Sequence, residues 1–290
     1  MRKAFIQLHV SILLAGFTGV LGKVITLNEG LLVWYRILIS IAIMLLLLPL
    51  ASLRKDMTWR AALRMMGVGA LLALHWVFFF GSIKASNVSV GVVCISLMSL
   101  FTALLEPLAY KRAVSWKEVA LSLLPLAGIA LVFHFDIRYR TGIMLGIVAA
   151  FLAALFTVMN KKISSGHASS KILFYEMVGG FVCLSLLMPF YLARFPSDSL
   201  IPGLSDFLWL LVFSAGCTVG LYLLFIESLK SIPAFTVNLS YNLEPLYSIA
   251  LAMLFLGEAK ELNFSFYTGL ALILLSVALQ TKISFRWRRS

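Results

Sequence analysis

The chain has 290 residues, of which 61% are hydrophobic and 12% are charged, and its formal net charge is +12. A mean hydropathy of +1.00 and apolar runs of bilayer length exceed the values of a soluble domain, which needs a polar exterior. The composition therefore excludes a soluble enzyme or binding domain and predicts an integral membrane protein.

Apolar runs of about 20 residues divide the chain into ten predicted transmembrane helices. They cover residues 5–25, 31–51, 61–81, 88–110, 115–135, 141–160, 171–193, 206–229, 233–256 and 264–283. The connections between them are short, and the longest lies at 194–206. We therefore expect an all-α fold whose function resides among the helices.

The two halves of the chain resemble each other. Tyr35-Arg36 with Pro49 returns as Tyr175-Glu176 with Pro189, and Ser82-Ile83-Lys84 returns as Ser228-Leu229-Lys230. Five predicted helices fall in 1–139 and five in 140–290. An odd number of helices per unit gives the second unit the opposite orientation in the bilayer, and such inverted repeats surround a central cavity in many transporters.

Basic residues predict the orientation. Most of the 24 Lys and Arg residues fall on the side that holds both termini, so we expect both termini in the cytoplasm. Basic residues beside anionic lipid headgroups explain the positive net charge, and no nucleic-acid motif competes with this partner. Cys94, Cys183 and Cys217 have no paired spacing, so we expect no disulfide, metal or other cofactor.

Small residues mark the helix faces that we expect to pack closely. Gly16 and Gly19 share a face of the first helix, and Gly142 and Gly146 share a face of the sixth. Gly216 and Gly220 form a similar pair in the eighth helix. Packing is one interpretation of these faces, and a groove with room for a solute is the other.

Ionisable residues inside predicted spans are costly and often functional. The candidates are Arg36, His75, Glu106, Glu176, Glu227 and Glu244. Glu106, Glu176 and Glu227 lie near helix ends, where they could pair with loop bases. Arg36 is interpreted as an ion-pair partner first and as a ligand second. His75, beside Trp76, could bind solute or simply hydrogen-bond within the bundle.

Glu244 differs because it lies well inside the ninth span and Pro245 follows it. Proline has no backbone N–H, so the carbonyl one turn earlier loses its hydrogen-bond partner. We therefore expect a broken helix beside this carboxylate. Tyr241 lies on the same face, with Asn238 and Asn242 adjoining. The fourth span has a similar polar stripe that ends at Glu106. Such stripes could line a cavity or join helices.

At these residues the chain resembles the drug/metabolite transporter superfamily and its EamA-like family. Glu244-Pro245-Leu246, followed by Leu256-Gly257-Glu258, is similar to the family's proline-containing helix and its Leu-Gly-Glu turn. The segment 228–233 resembles the family's connector. The first half departs from the pattern at Met98-Ser99 and at Lys111-Arg112. These departures argue against Glu106 as the functional counterpart of Glu244.

This resemblance implies ten helices around a central cavity, in the cytoplasmic membrane of bacteria, and transport of small metabolites such as amino acids. We therefore expect a secondary transporter, with efflux of a small polar metabolite as the leading prediction. No ATP-binding motif is present, so a solute gradient or protons would supply the energy, with Glu244 as the proton carrier.

The site residues follow from this expectation. The predicted substrate contacts are His75, Trp76, Tyr222, Asn238, Tyr241 and Asn242. The predicted coupling or ion-pair residues are Glu244, Glu106, Glu176 and Arg36.

Other functions stay open at this point. Acidic and aromatic residues would suit a drug or organic-cation exporter. A membrane enzyme acting on lipids could use His9, His75 and Glu106, although no metal-ligand spacing or nucleophile motif supports it. A receptor without transport would need a partner, and a homodimer is compatible with the sequence.

Overall fold

The computed structural model describes residues 2–133, 139–197 and 199–257, together with seven positions between 267 and 279. All regular secondary structure within these residues is helical. This outcome confirms the predicted all-α class.

Seven helices belong to the first half of the chain. They are α1 (Arg2–Val24), α2 (Glu29–Leu47), α3 (Leu50–Arg54), α4 (Trp59–Ala85), α5 (Val88–Ile95), α6 (Met98–Tyr110) and α7 (Trp116–Phe133).

Six helices follow in the described part of the second half. They are α8 (Arg140–Ile163), α9 (Ser169–Arg194), α10 (Leu204–Ser214), α11 (Leu221–Leu229), α12 (Ala234–Ser240) and α13 (Glu244–Leu256). A π-helical turn at Ala215–Gly220 joins α10 to α11, and a 3-10 turn at Tyr241–Leu243 joins α12 to α13.

Eight segments of the described chain are long and apolar enough to cross a membrane. They are α1, α2, α4, α8 and α9, and the paired helices α5–α6, α10–α11 and α12–α13. Helix α7 occupies the place of the fifth predicted span. The tenth predicted span, 264–283, lies largely outside the described residues, so the count of ten stays a prediction.

Local sequence explains several helix boundaries. The Oδ1 atom of Asn28 accepts a hydrogen bond from the backbone of Leu31 at 2.8 Å and caps α2. Asn87 caps α5 in the same way. The break predicted beside Glu244 is present, because the 3-10 turn ends there and Pro245 occupies the first turn of α13, where a missing N–H costs little.

Helix α4 lies at the centre of the bundle and packs against α8 and α9. It runs antiparallel to α8, because Ser82 near its end donates to the Gly142 carbonyl at the start of α8, at 2.6 Å. Against α9 the backbones nearly touch. A Cβ atom built on Gly69 would lie 1.8 Å from the carbonyl oxygen of Glu176, and one on Gly179 would lie 2.1 Å from that of Met66.

Close packing is confirmed at several of the predicted small residues. A Cβ on Gly16 would lie 2.5 Å from Tyr247 of α13, and Ser248 donates to the Gly16 carbonyl at 2.8 Å. Gly146 similarly contacts Cys94. The packing prediction is wrong for Gly216, since its Cβ would meet no described atom within 4 Å. This glycine lies in the π-helical turn.

The crossing of α4 and α9 predicts a position-specific cost. Gly69→Ala should lower the free energy of unfolding by about 2 kcal/mol, because the added methyl group forces the two backbones apart. Gly67→Ala is the matched control, since a Cβ there has no neighbour within 4 Å among the described residues. Thermal unfolding of detergent-purified variants measures both, and equal midpoints would contradict the packing account.

Candidate functional site

A cavity of about 60 Å³ lies within the bundle between both halves of the chain. Its wall is formed by α1, α2, α4, α5, α6, α8, α11 and α13, together with the 3-10 turn before α13. Six of the residues predicted as site residues line it: Arg36, His75, Trp76, Tyr222, Tyr241 and Glu244. The structure therefore brings together groups that are more than 200 residues apart in the chain.

Arg36 of α2 is almost fully buried, with 1% of its surface exposed. Its Nε atom donates to the Thr218 hydroxyl at 2.6 Å, and Nη2 donates to the Cys217 carbonyl at 2.8 Å. Both acceptors belong to the π-helical turn, a geometry that is frequent at functional sites. The guanidinium carbon lies 3.9 Å from the ring centre of Trp76 and 4.0 Å from that of Phe213.

Arg36 has no ion-pair partner in the described part of the chain. The two salt bridges found there join Arg112 to Glu106 and Lys230 to Glu227. Arg36 instead has neutral oxygen acceptors and aromatic rings as neighbours, and cation–π attraction offsets part of its burial cost. Its Nη1 atom is buried and has no hydrogen-bond partner among the described residues.

Trp76 and Tyr222 form a bonded pair across the cavity wall. Trp76 Nε1 donates to the Tyr222 hydroxyl at 3.1 Å, and the two rings meet edge to face with centres 5.3 Å apart. The Tyr222 hydroxyl lies close enough to Arg36 and to Glu244 to interact electrostatically with both. It is therefore a neighbour of both ionisable groups of the cavity.

His75 hydrogen-bonds within the bundle, which is one of the two roles that the sequence left open. Its Nδ1 atom donates to the Ala149 carbonyl at 2.8 Å, and its ring stacks on Phe79 with centres 5.9 Å apart. Because a carbonyl can only accept, this bond places the proton of a neutral imidazole on Nδ1 and leaves Nε2 as an acceptor. His75 thus joins α4 to α8 while it lines the cavity.

Glu244 lies at the start of α13, directly after the 3-10 turn, and only 6% of its surface is exposed. Its carboxylate makes no hydrogen bond or salt bridge to another described residue. Tyr241, one turn earlier, donates to the Ser11 hydroxyl at 3.0 Å and connects this segment to α1. Glu244 is therefore a buried acidic group with its hydrogen-bonding capacity unused.

Asn238 and Asn242 lie outside the wall of this cavity, so their role as substrate contacts stays a prediction. Asn238 donates to the Thr102 hydroxyl at 2.7 Å and joins α12 to α6. Asn242 is buried, and its side-chain oxygen and nitrogen have no hydrogen-bond partner among the described residues. Helical spacing placed both residues near Tyr241 but did not specify which neighbouring helix they face.

Glu106 has structural partners. Its Oε2 atom accepts from the backbone N–H of Phe235 at 3.0 Å, in the first turn of α12, and Oε1 pairs with Arg112 at 3.2 Å. The carboxylate therefore caps α12 from a neighbouring helix. Glu106 does not line the cavity, and the interpretation that it pairs with a loop base is the one that the structure supports.

Glu176 is fully buried outside the cavity wall. Asn160 donates to its Oε1 atom at 2.7 Å, while Oε2 has no partner among the described residues. The ion pair predicted for Glu176 is therefore absent from this part of the chain. The close crossing at Gly69 packs α4 against the backbone of Glu176.

Sequence reasoning missed the residues that position Arg36. Phe213, Cys217 and Thr218 all lie at or beside the π-helical turn, where the sequence indicated only a pair of small residues. The polar Thr218 within an apolar span was the one available signal. A turn of this kind has no sequence signature that spacing alone can identify.

Two lysines form hydrogen bonds to backbone carbonyls near helix ends, one at each end of the bundle. Lys84, at the end of α4, donates to the carbonyls of Ile25 and Leu27 just after α1. Lys161, at the end of α8, donates to the carbonyl of Leu229, the last residue of α11, and to that of Ile232 just after it. Because α4 and α8 are antiparallel, these two sets of contacts lie on opposite sides of the cavity.

The sequence profile of the EamA-like transporter family matches residues 2–134 and again 140–281. The chain belongs to the EamA-like transporter family. This membership confirms the resemblance that the Glu244-Pro245 segment and the Leu256-Gly257 turn indicated. The family match and the apolar helices together identify a multi-pass membrane transporter.

Relatives and a solved structure agree with this family. A Bacillus subtilis protein named uncharacterized transporter YxxF is 24% identical over 283 residues, which cover 95% of this chain and 88% of that protein. The Synechocystis uncharacterized transporter sll1164 is 24% identical over 208 residues, which cover 67% of this chain and 58% of that protein. One crystal structure superposes with a TM-score of 0.72 at 18% identity, over 97% of this chain and 98% of the other, and supports the fold.

The partners of Glu106 predict a structural phenotype. Glu106→Ala should destabilise the protein by about 1–2 kcal/mol, because it leaves the α12 backbone donor without its acceptor. Arg112→Ala should cost less than about 1 kcal/mol, since the Arg112 side chain is half exposed. Thermal unfolding distinguishes the two effects, and a larger loss for Arg112→Ala would contradict the capping role.

Proposed function

We propose that this protein is a secondary transporter for a small polar metabolite, an amino acid or a related compound. It would export this solute across the cytoplasmic membrane of a bacterium by alternating access. One observation carries the proposal: Arg36 and Glu244, of opposite charge, line the same buried cavity without pairing with each other.

Unpaired ionisable groups inside a membrane protein are costly, about 2.5–3.5 kcal/mol for an ionised side chain on the scale with the smallest penalties. Retaining two of them at one cavity is reasonable when a solute supplies the missing partners. A zwitterion would offer an anionic group to Arg36 and a cationic group to Glu244. The aromatic faces of Trp76 and Tyr222 would cover the apolar part of such a solute.

An organic-cation exporter is the second candidate, because Glu244 and the aromatic rings would suit a cation. Arg36 favours the first candidate, since a buried guanidinium in the same wall repels a solute that carries only positive charge.

Glu244 is our candidate for proton coupling. A carboxylate without a hydrogen-bond donor or a counter-ion is costly in its ionised form, so protonation offers it a neutral state. The proton would bind from one side of the membrane and leave when the cavity opens to the other.

Alternating access needs a closure on each side of the cavity. Lys84 and Lys161 supply candidate closures, because each binds helix-end carbonyls at a different end of the bundle. Each lysine joins helices that occupy corresponding places in the two halves: α1 with α4, and α8 with α11. This correspondence supports the proposal that residues 1–139 and 140–290 are inverted repeats.

Counterflow uptake in proteoliposomes tests the proposed function. Pools of labelled amino acids, sugars and amines are offered with and without an imposed pH gradient. We expect saturable uptake of one solute, with gradient-driven accumulation in the wild type and equilibration without accumulation in Glu244→Gln, which cannot exchange a proton.

The matched control is Glu227→Gln, since Glu227 lies outside the cavity and pairs with Lys230 near a helix end. This variant should accumulate solute as the wild type does. Unchanged gradient-driven accumulation in Glu244→Gln would exclude the coupling role. Absence of flux for every pool, in folded protein, would contradict the transport proposal itself.

A further inference from the structure

We propose that Arg36 is an anion-binding subsite of the cavity and that the transported solute carries a carboxylate that binds to the Nη1 edge of its guanidinium. This inference rests on the proposed function, because it names the chemical class of solute that the cavity takes. It assigns to Arg36 a specificity role in place of the ion pair that the sequence predicted.

Aromatic rings pack against the guanidinium. Trp76 lies over the group at 3.9 Å and Phe213 at 4.0 Å, measured from the guanidinium carbon to the ring centres. Phe80 is a further ring within 5.8 Å. An anion would bind in the plane of the guanidinium, where its N–H groups point.

Part of the edge of the guanidinium is already bonded. The Thr218 hydroxyl accepts a hydrogen bond from Nε, and the Cys217 carbonyl accepts one from Nη2. These two bonds occupy the edge of the guanidinium that Nε and Nη2 form. Nη1 has two N–H donors and no acceptor among the described residues, and it is buried. Since a guanidinium cannot lose its charge at physiological pH, this free edge lacks a negative partner.

The backbone of Arg36 is held as firmly as its side chain. The Ser40 hydroxyl donates to the Arg36 carbonyl at 2.7 Å, and the Ser214 hydroxyl of α10 donates to the same oxygen at 3.1 Å. Thr218 and Cys217 follow on the same span. These contacts fix the orientation of the free edge before a solute binds, which lowers the entropic cost of binding.

A carboxylate fits this subsite better than a phosphate. A planar carboxylate can accept in the guanidinium plane, where the N–H donors point. Glu244 lines the same small cavity, and its negative charge disfavours an anion that carries more than one charge. Glu244 would instead suit a cationic group elsewhere on the solute.

Fluorescence of the purified, detergent-solubilised protein tests the inference, because the Trp76 ring lies over the Arg36 guanidinium that would bind the carboxylate. The probes are the twenty amino acids and short-chain carboxylates, the matching amino-acid amides, and inorganic phosphate. We expect a saturable change in the wild type with at least one carboxylate, and a Kd for its amide that is higher by about tenfold or more. Trp76→Phe should remove the signal.

Three variants separate the role of Arg36 from folding. Arg36→Lys keeps a positive charge but lacks the planar fork, and Arg36→Gln removes the charge, so both should raise the Kd about tenfold or more. Thr218→Val has nearly the same shape and loses the acceptor for Nε together with a 3.3 Å hydrogen bond to the Phe213 carbonyl, so it should weaken binding by a smaller factor even if Arg36→Gln does not fold. Arg194→Lys, at an exposed position, should leave the Kd unchanged.

Several outcomes would overturn the inference. They are equal affinity for an acid and its amide, a response to phosphate alone, or wild-type affinity in folded Arg36→Gln. Counterflow of a solute without a carboxylate would also overturn it while leaving the proposed transport function intact. If no solute were transported at all, the proposed function would fail first.

Discussion

The cavity depends on a buried guanidinium that has no carboxylate partner in the described protein. Placing an arginine among apolar helices costs at least about 2.5–3.5 kcal/mol, and each cation–π contact returns about 0.5–2 kcal/mol. The rings of Trp76 and Phe213, with the Thr218 hydroxyl and the Cys217 carbonyl, can therefore offset much of the cost without neutralising the charge. A positive charge held in this way remains available to an anion.

The rest of the helical arrangement maintains this position. The close crossing at Gly69 fixes α4 against α9, and α4 carries both His75 and Trp76 to the cavity. The π-helical turn between α10 and α11 presents the two oxygen acceptors of Arg36. The 3-10 turn before α13 places Glu244 at the cavity wall. Two irregular turns within otherwise regular spans thus supply the polar contacts, which agrees with the rule that irregular backbone at membrane depth lines cavities or is buried in protein.

Hydropathy was sufficient to predict nine of the ten spans close to the bounds of the observed helices or helix pairs. An apolar run of this length favours crossing the bilayer whatever its neighbours are. The Glu244-Pro245 break was predictable too, since the proline effect is local. The hydrogen-bond partners of Glu106, Glu176 and Asn238 were not predictable from the sequence. Spacing specifies the face of a helix but not the helix opposite, so Glu106 proved to cap α12 and Asn238 to bind Thr102. The partners of Arg36 depend on a turn 180 residues away that spacing cannot reveal.

Accessibility of a single cavity cysteine from each side of the membrane tests the central claim most directly. In a protein whose native cysteines are replaced, Ala153→Cys lies in the cavity wall, whereas Ala150→Cys on the same helix is buried away from it. A small methanethiosulfonate reagent should label Ala153→Cys both in right-side-out and in inside-out vesicles, and should leave Ala150→Cys unlabelled. Labelling of Ala153→Cys from neither side, or equal labelling of both positions, would contradict a cavity that opens alternately to the two sides.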